Sequence, residues 1–247
     1  IPMFGLYGAC STSGEALALA SMSAAAGYGG TMIAVTSSHF GSAEKEFRFP
    51  LGYANQRPLS SHWTVTGSGA FLVQSAEEYR KQNTKSYFSN IRITGVTVGK
   101  IVDYGLKDSQ NMGACMAPAA MDTIVQNFQD MERKEKDYDR IITGDLGSIG
   151  RTILFDLIRE KGYDICEKHM DCGMTIFDKE RQDTHAGGSG CGCAAVTLAS
   201  YVLPKLEKGE WKRVLFVPTG ALMSTVSFNE GASVPGIAHG IVLESDA

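Results

Sequence analysis

Two patterns of apolar and polar positions alternate along this 247-residue chain. Short apolar runs bounded by glycine, proline or polar residues predict strands, whereas longer stretches of small and apolar residues predict helices. Strands are predicted at 31–36, 69–75, 91–98, 139–143, 173–177, 213–217 and 239–244, and helices at 12–26, 114–133, 149–161 and 194–207. Residues 37–62 are predicted to form a long loop. Strands separated by helices favour an α/β fold with a largely parallel sheet.

Two stretches of the chain repeat the same order of features. Each runs from a cysteine-containing turn through a helix and an apolar strand to a threonine beside small residues, and a glycine-led strand follows. Cys10 precedes Thr36 by 26 positions, and Cys193 precedes Thr219 by the same number. A repeat of this length predicts two duplicated halves, divided as residues 1–88 and 89–247.

The two predicted halves differ in what precedes the cysteine turn. About a hundred residues precede it in the second half, whereas nine precede it in the first. The first half is therefore expected to be N-terminally incomplete, and the chain to be a fragment of a longer protein. The alternative is an asymmetric fold with no missing piece.

Composition and charge exclude several classes of protein. The chain is 43% hydrophobic and 20% charged, which is ordinary for a globular protein. Its net charge of −4 and the lack of a basic stripe argue against nucleic acid as a partner. No apolar stretch approaches the length that spans a bilayer. The six cysteines fit no common zinc spacing, so we expect reduced thiols and no metal site.

Several motifs resemble the stage V sporulation protein AD family of spore-forming bacteria, within the thiolase and ketosynthase superfamily. The similar segments are FGLYGACSTS, AVTSSHFGSAEKEFRFP, TVTGSGA, NMGACMAPAA, DYDRIITGDLG, KHMDCG, AGGSGCGC, PTGALMS and IAHGIVLE. The resemblance implies a thiolase-like fold, with two duplicated βαβαβ halves in a layered α-β-α-β-α arrangement.

The same resemblance implies a function, a location and partners. It implies a non-catalytic sporulation protein that binds dipicolinic acid, or its calcium chelate, and supports its uptake into the developing spore. It implies a position peripheral to the inner spore membrane, beside other channel proteins of the same assembly. Thiolase-like folds usually pair by two-fold symmetry, so a homodimer is expected. No cofactor is implied.

Cys10 is the residue on which an enzymatic alternative depends. A thiol at a helix N-terminus favours the thiolate, and in the superfamily this position attacks an acyl thioester. Condensing enzymes also need a histidine, with a second histidine or an asparagine, to move protons and stabilise an oxyanion. The resemblance places these partners in GDLG, which contains Asp145, and in GGSGCGC, and neither segment has an imidazole or an amide. An acyltransferase that uses Cys10, with His39 as an unrecognised base, remains the alternative function. Cys10 also has a purely structural alternative, as a small buried side chain in the turn.

Dipicolinate is a planar dianion, so the predicted pocket needs hydrogen-bond donors and positive charge. The two cysteine turns supply backbone N–H groups at helix N-termini, and His39 and Arg48 add charge-assisted bonds. Arg48 has an alternative as a surface ion-pair partner of Glu44 or Glu46. Asp145 is an N-cap or turn residue, or an oxygen ligand if calcium accompanies the dianion. The candidate ligand-binding residues are Cys10, Ser11, His39, Arg48, Asp145, Gly190, Cys191 and Gly192.

Overall fold

The computed structural model describes residues 2–41, 57–82 and 90–246. The predicted ligand contact Arg48, and its alternative partners Glu44 and Glu46, lie outside these residues. Among the described residues no helix is both long enough and apolar enough to cross a membrane.

Helices make up much of the described chain. They are α1 Thr12–Ala25, α2 Ala76–Gln82, α3 Met112–Asp130, α4 Gly147–Glu160, α5 Cys172–Thr175, α6 Cys191–Thr197, α7 Leu203–Glu207 and α8 Thr225–Asn229. A 3₁₀ turn covers Glu135–Asp137, and a π-helical segment, Leu198–Val202, joins α6 to α7.

Most of the strands are short. They are β1 Thr31–Ser38, β2 His62–Thr64, β3 Gly67–Gln74, β4 Ile91–Thr97, β5 Arg140–Thr143, β6 His169–Asp171, β7 Gly187–Ser189, β8 Arg213–Val217, β9 Thr219–Ala221, β10 Gly236–Ala238 and β11 Gly240–Ser245.

The main sheet has the strand order β4-β11-β8-β5-β6. Three neighbouring strands of this sheet are parallel, because β5 pairs in parallel with both β6 and β8. Strand β11 is antiparallel to its two neighbours, β4 and β8. A second sheet is the antiparallel pair β1–β3. The parallel pair β2–β7 joins the two predicted halves, with Thr64 opposite Ser189.

Side chains alternate across the main sheet and divide the core between its two faces. Leu215 and Val217 of β8 pack with α3 and α4 on one face, as the burial of Ile124 and Leu154 shows. Val214 and Phe216 face a helical layer made of α1, α6 and α7. The inner side of β1–β3 covers the other side of that layer. The result is a layered arrangement of helices, sheet, helices and sheet.

Most predicted elements form close to the predicted positions, but the strand predicted at 173–177 is wrong. The strand in this region, β6, ends at Asp171, and the helix α5 follows it directly. Asp171 explains the change, because its Oδ1 accepts a hydrogen bond from Met174 N at 3.1 Å and so caps a helical turn.

The helix predicted at 194–207 starts earlier and is not uniform. It begins at Cys191 and passes through the π-helical segment before α7. Pro204 lies in the first turn of α7. Proline has no N–H to donate, and its ring crowds the carbonyl four residues earlier, which favours a wider turn there.

The structure also corrects the register of the internal repeat. Helix α1 begins two residues after Cys10, and α6 begins two residues after Ser189. Cys193 lies inside α6 and is fully buried. The counterpart of Cys10 is therefore Ser189, and the equal spacing of Cys10–Thr36 and Cys193–Thr219 does not mark equivalent positions.

Candidate functional site

Cys10 occupies a tight turn directly before α1. The N–H and the hydroxyl of Ser11 both donate to Gly8 O, at 3.0 and 2.6 Å, and Ala9 has a φ of 49°. Gly220 of β9 supports the turn from below, because a Cβ there would lie 2.4 Å from Gly8 O. This packing leaves the Cys10 thiol half-buried.

A chain of side chains leads inward from Cys10. Its Sγ lies 3.7 Å from Ser189 Oγ, and Ser189 donates to Asp145 Oδ2 at 2.8 Å. Gly190 N donates to the same oxygen at 2.9 Å, and Thr219 Oγ1 donates to Asp145 Oδ1 at 2.9 Å. Three donors thus bind the Asp145 carboxyl, which is 1% exposed. Asp145 therefore ties the turn before α6 to Thr219 of β9.

A second buried carboxyl holds the loop that carries Asp145. Asp171 accepts from Leu146 N at 2.9 Å and Gly147 N at 3.2 Å, so it fixes the start of α4. Thr143 Oγ1 also donates to it at 2.6 Å. Burial raises the pKa of Asp171 and the hydrogen bond from Thr143 lowers it, while the nearby charge of Asp145 adds to the rise. The net pKa is about 6.

His169 lies behind this loop and is neutral. Because the Thr143 hydroxyl donates its hydrogen to Asp171, the 3.0 Å contact between Thr143 Oγ1 and His169 Nε2 is donated by the imidazole. Burial, and then the positive charge of Arg151, lower the pKa of His169 to about 3. The imidazole therefore adds no positive charge near Asp171.

The N-terminus of α6 is already engaged by protein groups. Gly190, with a φ of 111°, directs its N–H to Asp145, and Gly192 N donates to Ser38 Oγ at 3.0 Å. The Cys191 thiol donates to Ser37 O at 3.0 Å. Two N–H groups that the sequence suggested as anion donors therefore bind the Asp145 carboxyl and Ser38 at the end of β1. A ligand that used them would displace these bonds.

The structure brings together only some of the predicted ligand contacts. Cys10, Asp145 and Gly190 meet around Ser189, while the Ser11 hydroxyl is turned back to Gly8 O and is buried. His39 is exposed at the end of β1, where its Nδ1 accepts from Gly41 N at 3.2 Å. His39 directly follows Ser37 and Ser38, the two serines that bond to α6.

Two members of the cluster were not among the predicted site residues. Ser189 lies within the quoted GGSGCGC turn, and its position two residues before a helix, like that of Cys10, was the available signal. Thr219 was used only as a spacing marker. An open groove between α1, β3 and α2 lies elsewhere and contains none of the cluster residues. Within the described ranges, no group of three or more His, Cys, Asp or Glu residues is arranged to hold a metal ion.

Comparison with known proteins gives a family and a fold. The profile of the stage V sporulation protein AD family matches residues 1–244. Stage V sporulation protein AD of Bacillus subtilis (strain 168) is 43% identical over 244 residues, which covers 99% of this chain and 69% of that protein.

Two solved structures show the likeness of fold. The tetronic acid condensing enzyme AbyA1 matches 96% of this chain with a TM-score of 0.57 at 13% identity, and this chain spans 66% of its length, just under two thirds. The Acat5 thiolase from Ascaris suum, solved with coenzyme A, matches 96% of this chain and 78% of its own, with a TM-score of 0.57 at 10% identity. The layered architecture is thus that of thiolases and ketosynthases.

Proposed function

Because this chain belongs to the stage V sporulation protein AD family, we propose that it binds dipicolinic acid in the pocket beside Cys10. The ligand is the free dianion or its calcium chelate, and the binding supports its uptake into the developing spore. The protein is a sporulation protein with a thiolase-like fold. What we propose beyond this is that its ligand is dipicolinic acid and that it does not catalyse a reaction.

The observation that carries the proposal is the hydrogen-bonded chain from Cys10 through Ser189 to Asp145. Acyl transfer at a cysteine needs a base that takes the proton and donors that stabilise the oxyanion. Ser189 and Asp145 stand beside the thiol, and the carboxylate opposes negative charge there. This arrangement favours a pocket that is retained for binding.

The same carboxylate limits how a dianion can be held. A dianion near Asp145 needs compensating positive charge, which we assign to Arg48 or to calcium carried by the ligand, with His39 at the rim as a neutral polar contact. Cys10, Ser11, Cys191 and the glycines Gly190 and Gly192 form the proposed polar floor. In this proposal Asp145 supports the floor from below and does not contact the ligand directly.

The proposal also includes a place of action. We propose that the protein works at the periphery of the inner spore membrane, together with channel proteins of the same assembly and as a homodimer. Binding at the membrane then depends on these partners or on surface contacts.

Calorimetry tests the proposed ligand. We expect the chain to bind dipicolinate, with and without calcium, and to bind benzoate at least tenfold more weakly, because benzoate has one carboxylate. Arg48→Ala is expected to weaken dipicolinate binding about tenfold, the order of one charge-assisted bond. Arg159→Ala, a change on the surface of α4, is the matched control and is expected to bind normally. A wild-type chain that does not bind dipicolinate contradicts the proposal.

An acyltransferase is the second candidate, because Cys10 is half-buried and precedes a 14-residue helix. Incubation with acyl-coenzyme A donors, followed by intact mass measurement, separates the two functions. The binding proposal expects no acyl adduct. An adduct that Cys10→Ser abolishes would establish the enzyme instead.

A further inference from the structure

The hydrogen bonds around Ser189 have a defined direction. All three bonds to the Asp145 carboxyl are donated to it, by Ser189, Gly190 and Thr219. Ser189 has one hydroxyl hydrogen, and this hydrogen goes to Asp145 Oδ2. In the 3.7 Å contact with Cys10, Ser189 Oγ is therefore the acceptor, and the Cys10 thiol is the donor. A thiolate cannot make this bond.

Within the part of the chain that the structure describes, the groups around Cys10 and Asp145 do not offset the carboxylate. The titratable groups described there are Glu15 on α1, Cys191 and Cys193 on α6, and Asp171 and Cys172 beside the Asp145 loop. Each of these groups is neutral or negative. Burial raises the pKa of Cys172 and Cys193 well above the usual value, and it also raises that of Glu15. None of the five supplies positive charge to stabilise a thiolate.

From this geometry we infer that Asp145 is a positioning residue that keeps the Cys10 thiol protonated, through Ser189, and so suppresses its nucleophilicity. The position of Cys10 before α1 favours the thiolate, because the backbone dipole is positive there. The carboxylate opposes this effect in two ways. It commits the Ser189 hydroxyl as an acceptor for the thiol, and it places a negative charge next to where a thiolate would form.

The inference deepens the proposed function and rests on its non-catalytic part. It concerns the chain without ligand, so it is tested without dipicolinate. If it fails, the calorimetric test of ligand binding is unaffected; conversely, a chain that binds no dipicolinate still allows this test.

The experiment is the pH profile of alkylation at Cys10. Iodoacetamide reacts with the thiolate, forming a carbon–sulfur bond as iodide leaves, and the thiol proton passes to the buffer. The rate at Cys10 is followed by peptide mass spectrometry, and Cys166, on the surface beside Asp164, is the internal reference in every sample. We expect Asp145→Asn to shift the midpoint of the Cys10 profile down by about one pH unit, which is about tenfold faster alkylation at neutral pH.

Two further variants make the result specific. Asp139→Asn removes a carboxylate that accepts from Lys212 N and Arg213 N on the far side of the sheet, and it is expected to leave the Cys10 profile unchanged. Ser189→Ala removes the acceptor of the thiol but keeps the negative charge of Asp145, so it is expected to speed alkylation at neutral pH by less than Asp145→Asn does. This variant also serves if Asp145→Asn does not fold, as judged by circular dichroism.

Two results would overturn the inference. One is a folded Asp145→Asn protein whose Cys10 profile coincides with that of the wild type. The other is alkylation of Ser189→Ala that is faster than that of Asp145→Asn, which would assign the restraint to the hydroxyl alone and not to the carboxylate. A rise in the reactivity of Cys166 along with Cys10 would indicate general loosening and would count against the inference in the same way.

Discussion

At the scale of single residues, the buried carboxyl of Asp171 makes the stability of the protein depend on pH. The pKa of Asp171 is about 6 in the folded protein, against about 3.9 for an unperturbed aspartate. The folded state therefore binds this proton more tightly than the unfolded chain does. The contribution of Asp171 to stability is fully present below about pH 4 and is lost as the pH rises through 6. A difference of about two units corresponds to about 3 kcal/mol.

Urea unfolding between pH 4 and 7 measures this contribution. Asp171→Asn is expected to be less stable than the wild type at pH 4, because one amide oxygen cannot replace the carboxyl as acceptor for four donors. Its deficit should shrink by up to about 3 kcal/mol towards pH 7. Asp156→Asn, a largely exposed site on α4, is the control and should follow the wild-type curve. Parallel curves for Asp171→Asn and the wild type would refute the assignment.

Gly220 gives a second prediction at this scale, because it determines the packing under the Cys10 turn. A Cβ at Gly220 would lie 2.4 Å from Gly8 O and 3.0 Å from Ser11 N, so the turn must move. We expect Gly220→Ala to lower the free energy of unfolding by about 1–3 kcal/mol. Gly5→Ala is the matched control, since no atom lies within 4 Å of its added Cβ. Equal stabilities of the two variants in urea unfolding would contradict the packing described.

At the scale of elements, a buried polar network joins α3 to β4 and to the chain before β5. Tyr138 Oη donates to Asn127 Oδ1 at 2.6 Å, and Asn127 Nδ2 donates to Thr97 Oγ1 at 2.8 Å. All three residues are at most 3% exposed. Tyr138→Phe should therefore cost about 1–3 kcal/mol, because it leaves the Asn127 oxygen buried without this donor. Thermal unfolding monitored by circular dichroism checks the loss, and Tyr104→Phe, at an exposed side chain, should change little.

The elements also show what the sequence could and could not predict. Strand β8 forms at the predicted residues 213–217, because a run of five mostly apolar residues buried on both faces has few alternatives. The strand predicted at 173–177 failed because one side chain, Asp171, caps a helix there instead. The short strands β2 and β7 were not predicted, since three residues carry too little pattern and their pairing is non-local.

The candidate site was also predictable only in part, because its contacts join residues that are far apart in the sequence. Cys10 and Asp145 were identified from local motifs, but the contact between Cys10 and Ser189 joins residues 179 positions apart. The Cys-to-Thr spacing led to the wrong counterpart, because the helical stretch is longer in the second repeat, covering residues 191–207 against 12–25 in the first. Only the positions of Ser189 and Cys10 relative to their helices reveal their equivalence.

At the scale of the whole molecule, the two predicted halves share one of the two core clusters. Ala16 and Leu17 of α1 pack in the same cluster as Val214 and Phe216 of β8. The boundary between residues 88 and 89 thus stays a prediction about how the chain arose by duplication. In the folded protein, this core cluster contains residues from both sides of the boundary. A shared core of this kind favours a single unfolding transition.

The two tryptophans allow this cooperativity to be measured, because Trp63 lies in the first half and Trp211 in the second. The variants Trp63→Phe and Trp211→Phe each leave one fluorescent reporter, and we expect both reporters to change at the same urea concentration. Leu17→Ala, which empties part of the shared core, should lower both urea midpoints together, because it lowers the free energy of unfolding by about 2–5 kcal/mol. Leu59→Ala, at a side chain that is 77% exposed, is the control and should move neither. Since the cluster that contains Leu17 holds residues of both halves, a Leu17→Ala effect confined to Trp63 would mean that the first half unfolds independently and that the shared cluster does not couple the two.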